Sequence, residues 1–163
     1  MTESPEMLAL QQSDATCRMH QEALNEALVD LDLIDLTEMI LQNPCKDHRR
    51  LLDQFAYRYI RLQDDMGNRL MKSVLLVMGE DIAAMPTIDR LNRLEQIGWL
   101  PSAEEWMELR KIRNDFTHEY PEAVEERFVR IQLAIQSARR ISDLFDVFHK
   151  KIKQRFPELK TED

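Results

Sequence analysis

Residues 98–121 read GWLPSAEEWMELRKIRNDFTHEYP. Gly98 suits the left-handed position that closes a preceding helix. Ser102, with Glu105 three residues on, forms a capping-box pattern that starts a new one. Trp106, Leu109, Ile112 and Phe116 then recur at steps of three, three and four, which places them on one face of an α-helix. Thr117, Glu119 and Pro121 permit an end before His118. A second helix follows at once, with Pro121 suited to its first turn. Helix, tight break, helix is the punctuation of an α-bundle, and the break carries Arg113, Asn114, His118 and Tyr120.

The same pattern extends in both directions. Upstream, Thr87 can cap a short helix with Ile88, Leu91 and Leu94 on one side. Before it lies a long helix, roughly 46 to 78, whose stripe is Leu52, Phe55, Tyr59, Leu62, Met66 and Leu70, stopped by Gly79. DLTEMILQNP, at 35–44, reads as a short helix or turn ended by Asn43-Pro44. A first helix is expected to start near Ser13 or Asp14, either of which can cap it, with Leu24, Leu28 and Leu31 inward. Downstream, Val124, Phe128, Ile131, Ile135, Ala138, Phe145 and Ile152 line a helix that runs to about Arg155.

No strand pattern and no internal repeat interrupts this series. The chain has 163 residues, 44% of them hydrophobic, and only three glycines. That is enough apolar material for one folded domain. The expected fold is all-α, an up-and-down bundle of four to five helices. Residues 1–12 are expected to be a flexible acidic start, 13–156 the helical domain and 157–163 a flexible end. The two longest helices exceed what a small bundle needs, and the surplus suits a helical dimer interface.

The net charge of −8 is unevenly placed. Residues 1–45 hold nine acidic side chains against Arg18 alone, so they carry the whole excess. Residues 139–155 net +4. The body can therefore still present a cationic groove to a phosphate backbone, because local potential governs steering. Cys17 and Cys45 match neither a metal spacing nor a disulfide framework and read as reduced thiols. No signal-peptide pattern or membrane-length apolar run occurs, so a cytoplasmic location is expected. No phosphate loop, serine–histidine–acid set or metal pair is recognisable, and no cofactor or metal is expected. His20, His48 and His149 read as isolated exposed or capping histidines.

On a straight helix Asn114 and His118 share a face, whereas His118 lies about 140° round from Arg113. Two arrangements bring the imidazole and guanidinium to one target. Either the helix unwinds before His118, or a second copy of the chain supplies its own pair. Both build a pocket suited to ribonuclease chemistry without a metal. Histidine serves as base or acid near neutral pH, and arginine offers a forked donor set to a phosphorane-like transition state. Asn114 can orient the imidazole or donate to phosphate. A polar helix tip with Arg113 paired to Glu119 or Asp115 satisfies the same spacing.

RNDFTHEY, residues 113–120, resembles the R-x-x-x-x-H-x-Y signature of the HEPN superfamily, especially its HepT-like toxins. Arg113, His118 and Tyr120 match position by position, and Arg113-Asn114 fits the R-N variant. The match is specific over about eight residues, the order of helices extends it over roughly 20–155, and residues 1–19 are not accounted for. The resemblance implies an all-α homodimer with two motifs facing across one cleft. It implies an endoribonuclease toxin with Arg113, His118 and Asn114 as its catalytic set. It also implies a minimal nucleotidyltransferase antitoxin that can AMPylate Tyr120. A sister branch, the HEPN nucleotidyltransferase substrate-binding proteins, carries related stretches and implies a non-catalytic binding subunit instead. In YRYIRLQDD, residues 57–65, Arg58, Arg61, Asp64 and Asp65 either pair along one helix surface or line the RNA cleft and brace Arg113.

Overall fold

The computed structural model describes residues 4–118 and 123–159. Its elements are α1 (Pro5–Leu33), α2 (Glu38–Gln42), α3 (Lys46–Asp65), a π-helical turn (Met66–Leu70), α4 (Met71–Val77), α5 (Thr87–Gln96), α6 (Ala103–Thr117) and α7 (Val124–Arg155). Among the described residues there is no strand. None of the helices is long and apolar enough to cross a membrane.

Cross-helix pairs fix the directions. Gln54 Nε2 on α3 donates to the Ala23 carbonyl on α1, and Arg58 meets His20 one turn further along. Those registers run in opposite senses, so α1 and α3 are antiparallel. Arg113 on α6 binds Asp64, and Phe116 packs on Phe55, which sets α6 antiparallel to α3. Arg140 binds Glu105, and Arg130 binds the His118 carbonyl, which turns α7 back along α6. The result is an up-and-down bundle of α1, α3–α4, α6 and α7, with α2 and α5 in the connections.

Leu24, Leu28 and Leu31 from α1 meet Phe55, Tyr59, Leu62, Met66 and Leu70 from the second column. Trp106 and Leu109 close the core from α6, and Ala134, Ala138, Ile141, Phe145, Phe148 and Ile152 from α7. The expected stripes are therefore largely the buried ones. Ile88 is an exception and lies exposed, because α5 meets its neighbours through Leu91 and Leu94 and leaves its first turn in solvent. Val124, Phe128, Ile131 and Ile135 are only half-buried, and Val129 and Leu133 beside them are exposed. The first half of α7 thus runs past the four-helix core.

The N-terminus corrects the sequence reading. The first helix starts at Pro5, not near Ser13 or Asp14, and Ser4 caps it by accepting from the Met7 N–H at 3.2 Å. Proline at the first helical position loses no hydrogen bond there. Ser13 and Asp14 lie within the helix, and Leu10 is fully buried. Residues 5–12 are therefore helical and not a loose acidic start. Leu159, in the segment expected to be flexible, is also buried. Leu10→Ala is expected to cost about 2–5 kcal/mol, as other buried leucine truncations do. Urea unfolding of the variant checks this, and a midpoint equal to the wild type's would mean that the first turns of α1 are dispensable.

The second departure is the π turn. Gly67-Asn68 is a poor helix-forming pair in the middle of a long helix. The extra residue shifts the buried stripe, so that adjacent Leu70 and Met71 both face inward. A methyl group on Gly67 would stand 3.4 Å from Trp106 Cζ2, an ordinary contact distance, so the indole packs directly over the turn.

Candidate functional site

Ser102 caps α6 as expected, its Oγ accepting from the Glu105 N–H at 3.1 Å. The Glu105 carboxylate does not complete the box. It binds Arg140 of α7 at 3.0 Å, while Glu95 of α5 accepts from the Ala103 N–H. α6 is thus pinned at its start to both neighbours, which steadies the residues at its far end.

At that end Arg113 is held by Asp64 through two parallel bonds. Nε donates to Oδ1 at 3.0 Å and Nη2 to Oδ2 at 2.6 Å. This fork geometry fixes the plane of the guanidinium as well as its position. Nη1 points toward Thr117 Oγ1 at 3.4 Å and Asn114 Oδ1 at 3.5 Å. Thr117 returns its hydroxyl hydrogen to the Asn114 carbonyl at 2.9 Å, a back-bond typical of a helix end. α6 then stops. His118 has φ −76° and ψ 128°, an extended conformation, and its carbonyl accepts from Arg130 Nη1 at 3.0 Å. The helix therefore unwinds before His118, the first of the two arrangements named above. Tyr120, Glu119 and Pro121 lie outside the described residues.

Beside Arg113 lies a cavity of about 130 Å³. Its apolar wall includes Trp106, Leu91 and Leu94. Its polar groups include Gln63, Asn68, Lys72, Arg90, Arg110, Arg113 and Asn114, with Asp64 as the sole carboxylate among the lining residues. Four cations against one anion make the cavity attractive to a phosphate. Of the residues singled out from sequence, Arg113, Asn114 and Asp64 come together here. Gln63, Lys72, Arg90 and Arg110 escaped that reading. Arg110 was legible as a partner three residues before Arg113, and the Gly67-Asn68 pair marked the π turn. The convergence of α5 on the same spot had no local signal.

Arg58, Arg61 and Asp65 gather elsewhere, around His20. Arg58 Nη1 lies 2.9 Å from His20 Nδ1, and His20 Nε2 lies 3.3 Å from Asp65 Oδ2. Arg61 stands 3.9 Å from the same carboxylate. An arginine can only donate, so Nδ1 accepts and the proton sits on Nε2, facing Asp65. His20 is therefore a buried, paired residue and not an isolated exposed one. His149 is also paired, with Nδ1 2.9 Å from the buried Asp14 Oδ1. Cys17 is buried beside this layer, and burial pushes its thiol well above the ordinary range. Cys45 is exposed, and its Sγ accepts from the His48 N–H at the start of α3. Among the described residues no three of His, Cys, Asp and Glu gather as a metal ion would require.

Burial holds the His20 imidazole below its ordinary 6.5, against the opposing pull of Asp65. The unfolded chain then takes up a proton near pH 6.5 that the folded chain refuses. Stability from this group is complete above pH 6.5 and is lost as the pH falls below it. Burial shifts Asp14 above 3.8, which acts in the opposite sense: its contribution is present below 3.8 and is lost as pH rises. Urea midpoints across pH 5 to 7 should rise with pH, and His20→Gln should flatten that rise. An unchanged slope in the variant would assign the effect to another group.

Compared with known proteins, the chain matches no family model, no curated protein and no solved structure.

Proposed function

We propose that the chain is a metal-independent endoribonuclease of the HepT-like HEPN type, active as a homodimer. The observation that carries this reading is the end of α6: a guanidinium fixed by Asp64 at a cationic cavity, with the helix stopping one residue before His118. In the proposed reaction His118 accepts the proton of a ribose 2′-hydroxyl or protonates the departing 5′-oxygen. Arg113 stabilises the charge that builds on the phosphorus oxygens, and Asn114 orients the imidazole or donates to the phosphate. A second copy completes the acid–base pair with its own histidine. The exposed Val129 and Leu133 on the overhanging half of α7 supply apolar surface for such a partner. The expected antitoxin is a minimal nucleotidyltransferase. Its AMPylation of Tyr120, two residues beyond His118, would add bulk and negative charge where RNA must enter.

One observation favours a second reading, the non-catalytic binding subunit of a nucleotidyltransferase complex. Arg113 spends its paired donor edge on Asp64, which suits a fixed electrostatic post.

Expression without a partner tests the two. Wild type, Arg113→Ala and His118→Ala are each induced, and growth and total RNA integrity are followed. The nuclease reading expects arrest and RNA loss with wild type alone. Harmless wild type with intact RNA and tight binding to a nucleotidyltransferase partner would transfer the protein to the second reading.

A further inference from the structure

We propose that the cavity beside Arg113 anchors a terminal phosphate monoester, so that the RNA this protein takes is phosphorylated at one end. This rests on the ribonucleic-acid reading above and goes beyond it by naming which phosphate the cavity holds.

The charges around the cavity are unevenly balanced. Asp64 is the sole carboxylate among the lining residues, and both of its oxygens already bind Arg113. Lys72 from α4, Arg90 from α5 and Arg110 from α6 line the same space. Among the described residues none of these three has a carboxylate partner. Arg90 makes one hydrogen bond there, from Nη2 to the Ile82 carbonyl at 3.4 Å. Three uncompensated cations thus converge from three helices on one cavity. Their mutual repulsion is relieved by a bound anion.

Charge favours a terminal phosphate over an internal one. A phosphate monoester carries about −1.5 to −2 at neutral pH. An internal phosphate carries a single negative charge. Three free cations match the first better.

The wall favours the same choice. Trp106, Leu91, Leu94 and Gln63 are each no more than 3% exposed. Gln63 has no hydrogen-bond partner at either Nε2 or Oε1, and it is too enclosed to reach a ligand directly. Contact with the ligand therefore falls to the three cations. The closed wall offers a base no open face and a strand no exit. An internal phosphate needs the chain to leave on both sides, whereas a terminal phosphate needs one opening.

The test uses 2′-fluoro oligouridylates, which lack the attacking hydroxyl. Four compete against one labelled oligomer, read by anisotropy at fixed salt: an octamer with hydroxyl ends, the same octamer with a 5′-phosphate, the same octamer with a 3′-phosphate, and a decamer with hydroxyl ends. The decamer gains two internal phosphates and so controls for added charge. Wild type should hold one of the end-phosphorylated octamers roughly tenfold tighter than either hydroxyl-ended oligomer, in line with hydrogen bonds to a charged group. Lys72→Gln/Arg90→Gln should lose that discrimination, and millimolar inorganic phosphate should erase it in wild type. No preference, an equal gain for the decamer, or a preference that survives Lys72→Gln/Arg90→Gln would each overturn the inference while leaving the nuclease reading intact. If inorganic phosphate raises the melting temperature while the end-phosphorylated octamers gain nothing, the cavity takes the free ion and the inference falls. If the double variant fails to fold, the wild-type comparison with the decamer decides. If no oligomer binds at all, the ribonucleic-acid reading falls, and this inference with it.

Discussion

Arg113→Ala is expected to leave the protein folded and to slow RNA cleavage about 10²–10³-fold, the usual loss on removing one preorganised transition-state donor. The fold should survive because the Arg113–Asp64 pair is partly solvated on both sides. Such pairs contribute no more than about 1 kcal/mol. Arg113→Lys should not restore activity. A lysine keeps the charge but cannot make two parallel bonds to Asp64, so its position is no longer fixed. Asp64→Ala should fall between, at roughly tenfold, since the guanidinium remains but loses its anchor. Single-turnover cleavage of a defined RNA, with thermal unfolding of each variant, separates these outcomes. Full activity in Arg113→Ala would remove the residue from the chemistry. Equal losses in Asp64→Ala and Arg113→Ala would mean that only the fixed orientation counts.

Sequence spacing reached the bundle because helices announce themselves locally. The stripe from Phe55 to Leu70, the Ser102 cap and the closing Gly79 and Gly98 are each set within a turn or two, and both glycines adopt φ +83°. What spacing missed was set at a distance. Asp14 was read as a helix cap, although in the fold its partner is His149, on another helix. Arg58 and Asp65 share a ridge with Arg61, and their partner there is His20 of α1, on a different face of α3 from Asp64. Asp64 and Asp65 differ by one position and so point about 100° apart. That single step assigns one to Arg113 and the other to the buried histidine. Within the motif, Arg113 and Asn114 were legible from α6 alone. Gln63 was not, because an orphaned amide is visible only once every neighbour is in place.

The largest expected loss of stability comes from Trp106. Its ring is 1% exposed, and it packs beside Gly67 where α6 crosses the π turn. Trp106→Ala is expected to cost about 3–5 kcal/mol, the range for truncating a buried aromatic. For a chain of this size that lowers the melting temperature by on the order of 10 °C. Trp106→Phe keeps the ring against the turn and should lose much less. The buried indole has no free face for a ligand, so its part at this end of the bundle is packing, and Trp106→Phe should bind RNA like wild type. A melting temperature for Trp106→Ala within a degree or two of wild type would mean that the contact between α6 and the turn is not what holds this end of the bundle together.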